Sequence, residues 1–271
     1  MLEVRVPTIV KYTPGILDTL IVPQFSSKLL ALEYFIKNKA LFTCNILSCF
    51  EGVRISLADT EAVLNGHTVC TAMLNDLLKI HFFGQAITEL HNKIHNNLFL
   101  IDRCDLIDLH NSIDPHASES NGNYLFRSIN VTLKNVTYTP PKAQDLRYYW
   151  PQIYDRIVDK KRILENALVI FLQLARTQYF SDANKRTALL FINGILLKNC
   201  LYPVIVPGTF RSDFGQLLAK FYEDGEADDL LQFFARTSIA DSENCTEWLK
   251  TCSAIDYRKL TFGQRHKFIF D

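Results

Sequence analysis

The sequence predicts a mainly α-helical protein with one small β-hairpin, and three observations carry this prediction. Over most of the 271 residues, apolar side chains recur at three- and four-residue spacing, which is the period of an amphipathic helix. With 48% apolar residues, the chain can bury a large core without disulfide cross-links. A single segment, residues 124–139, is instead dense in β-branched and aromatic residues with partial alternation, which is typical of strands.

The individual elements follow from periodicity and from start and stop signals. The first helix begins near Ser26, and Gly52 is a typical stop after it. Ser56, followed three residues later by Asp59, is an N-cap signal. In the hairpin, Lys134-Asn135 is the turn and Pro140-Pro141 the end. Helices are predicted over residues 26–50, 56–64, 70–97 (with Gly84 as a potential interruption), 100–113, 143–159, 162–177, 185–199, 212–222 and 228–239.

Charge and composition exclude several classes of function. The 29 basic and 29 acidic residues give zero formal net charge, which argues against a protein that binds nucleic acid by phosphate attraction. No apolar stretch approaches the roughly 18 residues that a membrane helix needs, and the N-terminus shows no signal-peptide pattern. The seven cysteines include no Cys-x-x-Cys pair, which indicates reduced, buried thiols. We therefore expect a cytoplasmic protein with no nucleic-acid partner and no membrane partner.

A polar loop, residues 181–186, separates two strongly apolar helical segments, 166–176 and 189–196. A loop that opens onto a helix N-terminus presents free backbone N–H groups and the positive end of the helix dipole. Lys185 and Arg186 add positive charge, so the segment suits a phosphate, and Asp182 is placed to join a divalent metal to it. The alternative is an ordinary helix start with a capping carboxylate and solvated cations.

Residues 178–186, QYFSDANKR, resemble the signature of the Fic/Doc (Fido) family, which reads His, any, Phe, any, Asp/Glu, Gly/Ala, Asn, Gly/Lys, Arg. We call these nine residues the signature loop. Residues 124–141 resemble the family's β-hairpin flap, and residues 199–206 resemble the stretch after the signature helix. Six of the seven specified signature positions match, namely Phe180, Asp182, Ala183, Asn184, Lys185 and Arg186.

The resemblance implies a Fic-type helical bundle over residues 85–240. An N-terminal arm and helices precede it in residues 1–84, and a C-terminal extension follows in residues 241–271.

The same resemblance implies chemistry on ATP with Mg²⁺, since most members transfer AMP from ATP to a hydroxyl of a target protein. Asp182 would hold Mg²⁺, Asn184 would bind a phosphate oxygen, and Arg186 would clamp the phosphate chain. Ala183 and Lys185 would complete the nucleotide-binding loop.

The flap implies a second partner besides ATP. Arg127, Ile129 and Val131 would align a segment of an unknown target protein, docked at residues 124–139, by adding it as a strand. The oligomeric state is left open.

Three positions depart from the family pattern. Gln178 stands where the family has its catalytic histidine, and a primary amide cannot take up a proton near neutral pH. Because general-base assistance is worth about 10²–10⁴-fold, weak or absent transfer is expected. Lys185 stands where adenylylating members have glycine, and the Doc branch, which transfers phosphate, has lysine. Leu189 replaces a second arginine that grips the terminal phosphate, which weakens ATP binding.

Residues 47–60 resemble the self-inhibitory helix that precedes many Fic domains, with Glu51 at the position of the glutamate that blocks the nucleotide site. Leu47 departs from that pattern, which has Ser or Thr. Both an inhibitory and a vestigial Glu51 are open at this point. Three functions therefore follow: a weak protein adenylyltransferase, a catalytically inactive nucleotide-binding or protein-interaction module, and a Doc-like phosphotransferase that uses Lys185.

Overall fold

The computed structural model describes residues 7–20, 22–70, 72–116 and 126–239, and the predicted mainly helical fold is confirmed there. Extended pairing in these ranges is limited to two isolated bridges, Lys11 with Glu226 and Gln24 with Leu201. None of the helices in this part of the chain combines the length and the apolar character that a membrane crossing requires. The helices are α1 (Lys28–Lys37), α2 (Lys39–Glu51), α3 (Leu57–Leu64), α4 (Leu74–His95), α5 (Arg103–Ile113), α6 (Trp150–Val158), α7 (Ile163–Thr177), α8 (Asn184–Lys198), α9 (Arg211–Asp224) and α10 (Asp228–Phe234).

The predicted helix over residues 26–50 is two helices, α1 and α2, which meet at Asn38. The Asn38 side-chain amide and its backbone N–H both donate to the Tyr34 carbonyl, at 2.8 and 3.1 Å, and so close the end of α1. An asparagine that bonds the backbone in this way competes with helix continuation. The predicted stop at Gly52 is confirmed, with φ at 73°, and so is the Ser56 cap, whose Oγ accepts the Asp59 N–H at 3.0 Å.

Helix α4 runs without interruption through Gly84, so the potential break there does not occur. A Cβ at this position would collide with the Leu64 side chain of α3. The glycine therefore allows two helices to approach closely, which is a packing role and not a helix stop.

The centre of the core is the antiparallel pair α7 and α8. In α7 every residue after Ile163 is buried, and in α8 only Lys185 and Lys198 are not. Helices α1, α2, α4 and α5 all pack on α8. Gly194 in α8 lets the Phe99 ring lie against the helix backbone, since a Cβ there would fall 2.6 Å from the ring. This packing holds the loop between α7 and α8 at one end of the core.

The described part of the N-terminal arm, residues 7–20 and 22–24, is tied to the central helices. Lys11 exchanges two backbone hydrogen bonds with the 225–227 turn, each 2.8 Å long. The buried Glu165 carboxylate at the start of α7 accepts the N–H groups of Gly15 and Leu17. The predicted C-terminal extension, residues 241–271, lies outside the described residues.

The segment that was expected to form a β-hairpin turns where predicted but does not pair. Residues 134 and 135 form the turn, with Asn135 at φ 62°, yet residues 126–142 contain no strand. Side chains hold the two arms to the body instead: the Thr137 N–H donates to Glu223 (2.5 Å), and Asn130 accepts the Ala143 N–H (2.9 Å). The prediction of paired strands is therefore wrong for the described flap, residues 126–142.

The cysteine prediction is confirmed only in part. Cys44 and Cys49 are buried thiols, and burial raises the pKa of Cys49 to about 12. Cys70 and Cys104 are exposed, however, so the expectation that all cysteines are buried was wrong. Cys245 and Cys252 lie outside the described residues.

Candidate functional site

The signature loop joins the ends of the two most buried helices. Gln178 ends α7 in the left-handed region, with φ at 53°, and Ala183 adopts the same region, with φ at 60°, before α8 begins. The left-handed conformation costs a residue with a side chain about 1–2 kcal/mol. Two such residues in one short loop show that the surrounding structure holds the loop in this shape.

Asn184 provides much of this restraint through its side-chain amide. Its Oδ1 accepts the Phe180 N–H at 2.9 Å, and its Nδ2 donates to the Phe180 carbonyl at 2.7 Å. Nδ2 also donates to Gln178 Oε1 at 2.9 Å. A phosphate contact from this amide would require one of these bonds to break, so Asn184 shapes the loop in this structure.

Gln178, at the position of the family's histidine, is hydrogen-bonded within the chain at both ends of its amide. Its side chain is buried, Nε2 donates to the Ala175 carbonyl at 2.5 Å, and Oε1 accepts from Asn184. Both ends of the amide are therefore used. The residue acts here as a bridge between α7 and α8.

The start of α8 is suited to an anion. Ala183 occupies the N-cap position and has no side-chain acceptor for the first N–H groups of the helix. Ser181 and Asp182, just before it, are exposed, while Asn184 and Arg186 are buried. The exposed residues 181–182 therefore lie directly before a buried helix start, where the positive end of the helix dipole is located.

Arg186 places a buried positive charge at this helix start. Its side chain is 3% exposed, and its Nε lies 2.9 Å from Glu51 Oε1. Nε makes no hydrogen bond of good geometry, and Nη2 lies 3.8 Å from Asp182 Oδ1. The carboxylates of Glu51 and Asp182 therefore balance the charge of the guanidinium, while much of its capacity to donate hydrogen bonds is unused.

Glu51, for which an inhibitory and a vestigial role were both open, reaches the signature loop. It is the last residue of α2, and that end is fixed by Gly52 and by Arg211, whose Nη1 donates to the carbonyls of Ser48 (3.0 Å) and Cys49 (2.9 Å). The second Glu51 oxygen, Oε2, lies 3.5 Å from Lys79 Nζ of α4. One carboxylate thus lies between two cations from different helices.

Arg127 joins the flap to the signature loop. Its guanidinium is 2% exposed and donates to three carbonyls: Gln178 (2.6 Å), Ile129 (2.7 Å) and Pro141 (2.5 Å). The backbone N–H of Arg127 donates to the Tyr179 carbonyl at 2.9 Å. Of the predicted target-aligning residues, Ile129 is 61% exposed and Val131 half-buried, whereas Arg127 faces the interior. Arg127 therefore anchors the flap to the signature loop, and its side chain is not exposed for contact with a target protein.

Sequence reasoning missed His110 as a residue of this site. Its ring stacks on Phe180, with 3.7 Å between centroids and 9° between planes, and its Nε2 lies 3.2 Å from the Asp182 carbonyl. Burial lowers the pKa of His110, so the neutral ring is favoured. No motif connects residues 72 positions apart, so only the fold brings them together.

Two other features do not contribute to the site. His91 and His95 stack on one another, and no group of three metal-binding side chains occurs among the described residues. A recess of about 430 Å³ lies between the N-terminal arm and the start of α7, and the bidentate pair Arg162 with Asp18 lies in its wall. It is at the opposite end of α7 from the signature loop.

Comparison with known proteins relates residues 100–196 to the Fic/DOC family, whose sequence model matches that range. The protein adenylyltransferase Fic of Nematostella vectensis is 25% identical over 193 residues, which cover 64% of this chain. The chain spans 44% of the length of that relative.

Solved structures show the same fold. Fic-1 (residues 134–508) from C. elegans aligns with a TM-score of 0.68 and 20% identity, covering 88% of this chain and 70% of that one. A Fic domain containing signaling protein from Bacteroides thetaiotaomicron aligns with a TM-score of 0.61 and 16% identity, covering 85% and 87%. A Fic family protein from Desulfovibrio desulfuricans aligns with a TM-score of 0.61 and 13% identity, covering 95% and 79%.

Proposed function

Residues 100–196 of this chain belong to the Fic/DOC family, and from this premise we propose that the protein binds ATP at the signature loop and slowly transfers AMP to a hydroxyl of a target protein. The observation that carries the proposal is the buried guanidinium of Arg186 at the uncapped start of α8. A buried cation with unused donors beside free backbone N–H groups favours a polyanion. The curated relative, named as a protein adenylyltransferase, supports the same reaction.

Each part of the loop has a distinct role in this proposal. The phosphates are bound by the first backbone N–H groups of α8 and by the side chains of Arg186 and the half-buried Lys185. Ala183 has only a methyl group, so no side chain caps the first N–H groups of α8 in place of the phosphates. The Asn184 amide keeps the loop in its observed shape through its bonds to Phe180 and Gln178.

Asp182 fits a magnesium ion that accompanies the nucleotide. Its side chain is 73% exposed, and one oxygen, Oδ1, accepts the Ala183 N–H at 2.5 Å, which leaves the other oxygen free. Mg²⁺ is commonly held by one or two carboxylates together with substrate phosphates and water. Bound there, the ion would supply positive charge that offsets the charge of the phosphates.

In the proposed reaction the hydroxyl oxygen of the target bonds to the α-phosphorus of ATP. The bond from that phosphorus to the bridging oxygen breaks, and pyrophosphate leaves with the electron pair. The hydroxyl proton passes to water, because Gln178 cannot accept it and both ends of its amide are bonded. Without a general base the step is slower by about 10²–10⁴-fold.

The flap, residues 126–142, is the proposed docking segment for the target protein. Its arms are held by side chains and by Arg127, so most of its backbone N–H and C=O groups stay free to pair with an added strand. Ile129, at 61% exposure, offers an apolar contact beside them.

We further propose that Glu51 restrains the site. Its carboxylate contacts Arg186 where a phosphate would bind, so ATP must displace it first. Displacement costs the ion pair, which lowers the apparent ATP affinity.

A second candidate function is a nucleotide-binding module without transferase activity. The bonded Gln178 amide favours it, since the bonds to Ala175 and Asn184 give this side chain a structural role and an amide cannot accept the hydroxyl proton. Phosphate transfer with Lys185 is the third candidate function. Labelling of ATP at the α- or the γ-phosphate, as described below, distinguishes the three functions.

Binding of ATP is tested by calorimetric titration of the full chain. Arg186→Gln should weaken ATP binding by about 10-fold or more, because a bond between a charged group and phosphate is lost. Arg236→Gln is the matched control, since it removes the same charge from an exposed residue of the chain. Equal ATP affinity in both variants would refute the proposed site.

Transfer is tested by incubating the protein with a cell lysate and labelled ATP. Label from the α-phosphate on a protein supports AMP transfer, and label from the γ-phosphate alone supports phosphate transfer. ATP binding without either label supports the nucleotide-binding module.

A further inference from the structure

The carboxylate of Glu51 shows where a second cation of the site lies. Arg186 Nε is 2.9 Å from Oε1, and Lys79 Nζ is 3.5 Å from Oε2. Arg186 belongs to α8 and Lys79 to α4, so packing of α2 against α4 and α8 creates the arrangement. An anion held by cations on both sides marks a place where a phosphate group of similar size would be held as well.

Leu189 cannot supply a second cation. Its side chain is fully buried in the core between α8 and its neighbours, at 0% exposure. Lys79 is half-buried, with a side-chain exposure of 25%. Its ammonium contacts the same Glu51 carboxylate that contacts Arg186 at the start of α8. A lysine on a four-carbon stem can follow an anion that replaces the carboxylate.

We propose that Lys79 binds the terminal phosphates of the nucleotide, together with Arg186, once Glu51 has moved away. The inference rests on the proposed ATP site and adds a binding residue from outside the signature loop. In this structure the Glu51 carboxylate occupies the place of the phosphate, so the same two cations serve both states. Lys79 thereby supplies the positive charge that Leu189 does not.

The competing explanation is that Lys79 only holds Glu51 in its blocking position. The two explanations predict opposite effects. If Lys79 is only a lock, removing its charge frees Glu51 and tightens ATP binding, and it has no effect once Glu51 is neutral. If Lys79 binds phosphate, removing its charge weakens ATP binding even when Glu51 is neutral.

The experiment therefore uses the full chain with Glu51→Gln as the background. ATP and AMP are titrated calorimetrically into this chain and into chains that also carry Lys79→Gln, Lys79→Arg or Lys37→Gln. Lys37 is an exposed lysine on α1, so its substitution controls for the change in net charge. Lys79 is half-buried on a helix surface, and circular dichroism checks that each variant is folded.

We expect Lys79→Gln to weaken ATP binding by about 10-fold, the loss typical of one charged contact to phosphate. Lys79→Arg should retain the affinity, Lys37→Gln should not change it, and AMP, which lacks the terminal phosphates, should bind equally to all four. Unchanged or tighter ATP binding with Lys79→Gln overturns the role of Lys79 and leaves the proposed function standing. A Glu51→Gln chain that binds no ATP overturns both.

Discussion

Replacing Glu51 by Gln should make the stability of this protein depend on nucleotide. The carboxylate is 18% exposed and its partner Arg186 only 3%, so the pair is mostly shielded from water. Two unit charges about 4 Å apart attract by about 4 kcal/mol at an effective dielectric constant of 20, before desolvation is subtracted. Leaving a buried partner uncompensated costs about 3–5 kcal/mol. Since Glu51 is partly exposed, we expect a loss of about 2–3 kcal/mol in the free energy of unfolding without ligand.

ATP should restore that stability, because its phosphates meet the uncompensated Arg186. A ligand present at 100 times its dissociation constant adds about 2.7 kcal/mol to the free energy of unfolding. In the unmodified chain the gain at the same ATP concentration should be smaller, since ATP must first displace Glu51. The variant is therefore expected to be weaker alone and close to the unmodified chain when saturated.

Urea denaturation with and without ATP measures both effects. Asp229→Asn is the matched control, because it removes a carboxylate from the pair Lys220–Asp229, which is 60% and 56% exposed, and such exposed pairs contribute little. If Glu51→Gln leaves the unliganded stability unchanged, or if ATP stabilises the variant no more than the unmodified chain, the restraining role of Glu51 is refuted.

Three further substitutions test other parts of the site. Gln178→His should raise labelling by α-labelled ATP by about 10²–10⁴-fold through general-base assistance, and unchanged labelling in a folded variant would show that the base is not the missing element. Arg127→Leu removes three hydrogen bonds to carbonyls and should lower the free energy of unfolding, measured in urea, by about 3 kcal/mol. Proteolysis between residues 127 and 142 should become faster. An unaltered midpoint of urea denaturation would contradict the anchoring role of Arg127. Burial lowers the pKa of His110, so the unfolded chain binds that proton more readily and stability falls as pH drops below about 6.5. His110→Gln should flatten this fall between pH 7 and 5, and equal slopes in both proteins would argue against it.

Much of the helical structure was predictable because its signals are local. The Ser56 cap and the Gly52 stop act within one helical turn, and both are confirmed. The potential break at Gly84 does not occur, and the break at Asn38 within the predicted helix 26–50 was missed, for a reason that spacing cannot reveal. Gly84 is required by Leu64 of a neighbouring helix, and Asn38 breaks a run that is apolar on both sides.

The sequence by itself determined the class of fold, the similarity of residues 100–196 to the Fic/DOC family and the position of the signature loop, since these depend on periodicity and on short runs of consecutive residues. Only the tertiary structure decided what surrounds that loop. Each of the contacts around it joins residues far apart in the chain. They are the ion pairs of Glu51 with Arg186 and with Lys79, the ring stack of His110 on Phe180, and the hydrogen bond from Arg127 to the Gln178 carbonyl. Such contacts depend on how whole helices pack around α8, and no local pattern of residues encodes the distance between two side chains on different helices.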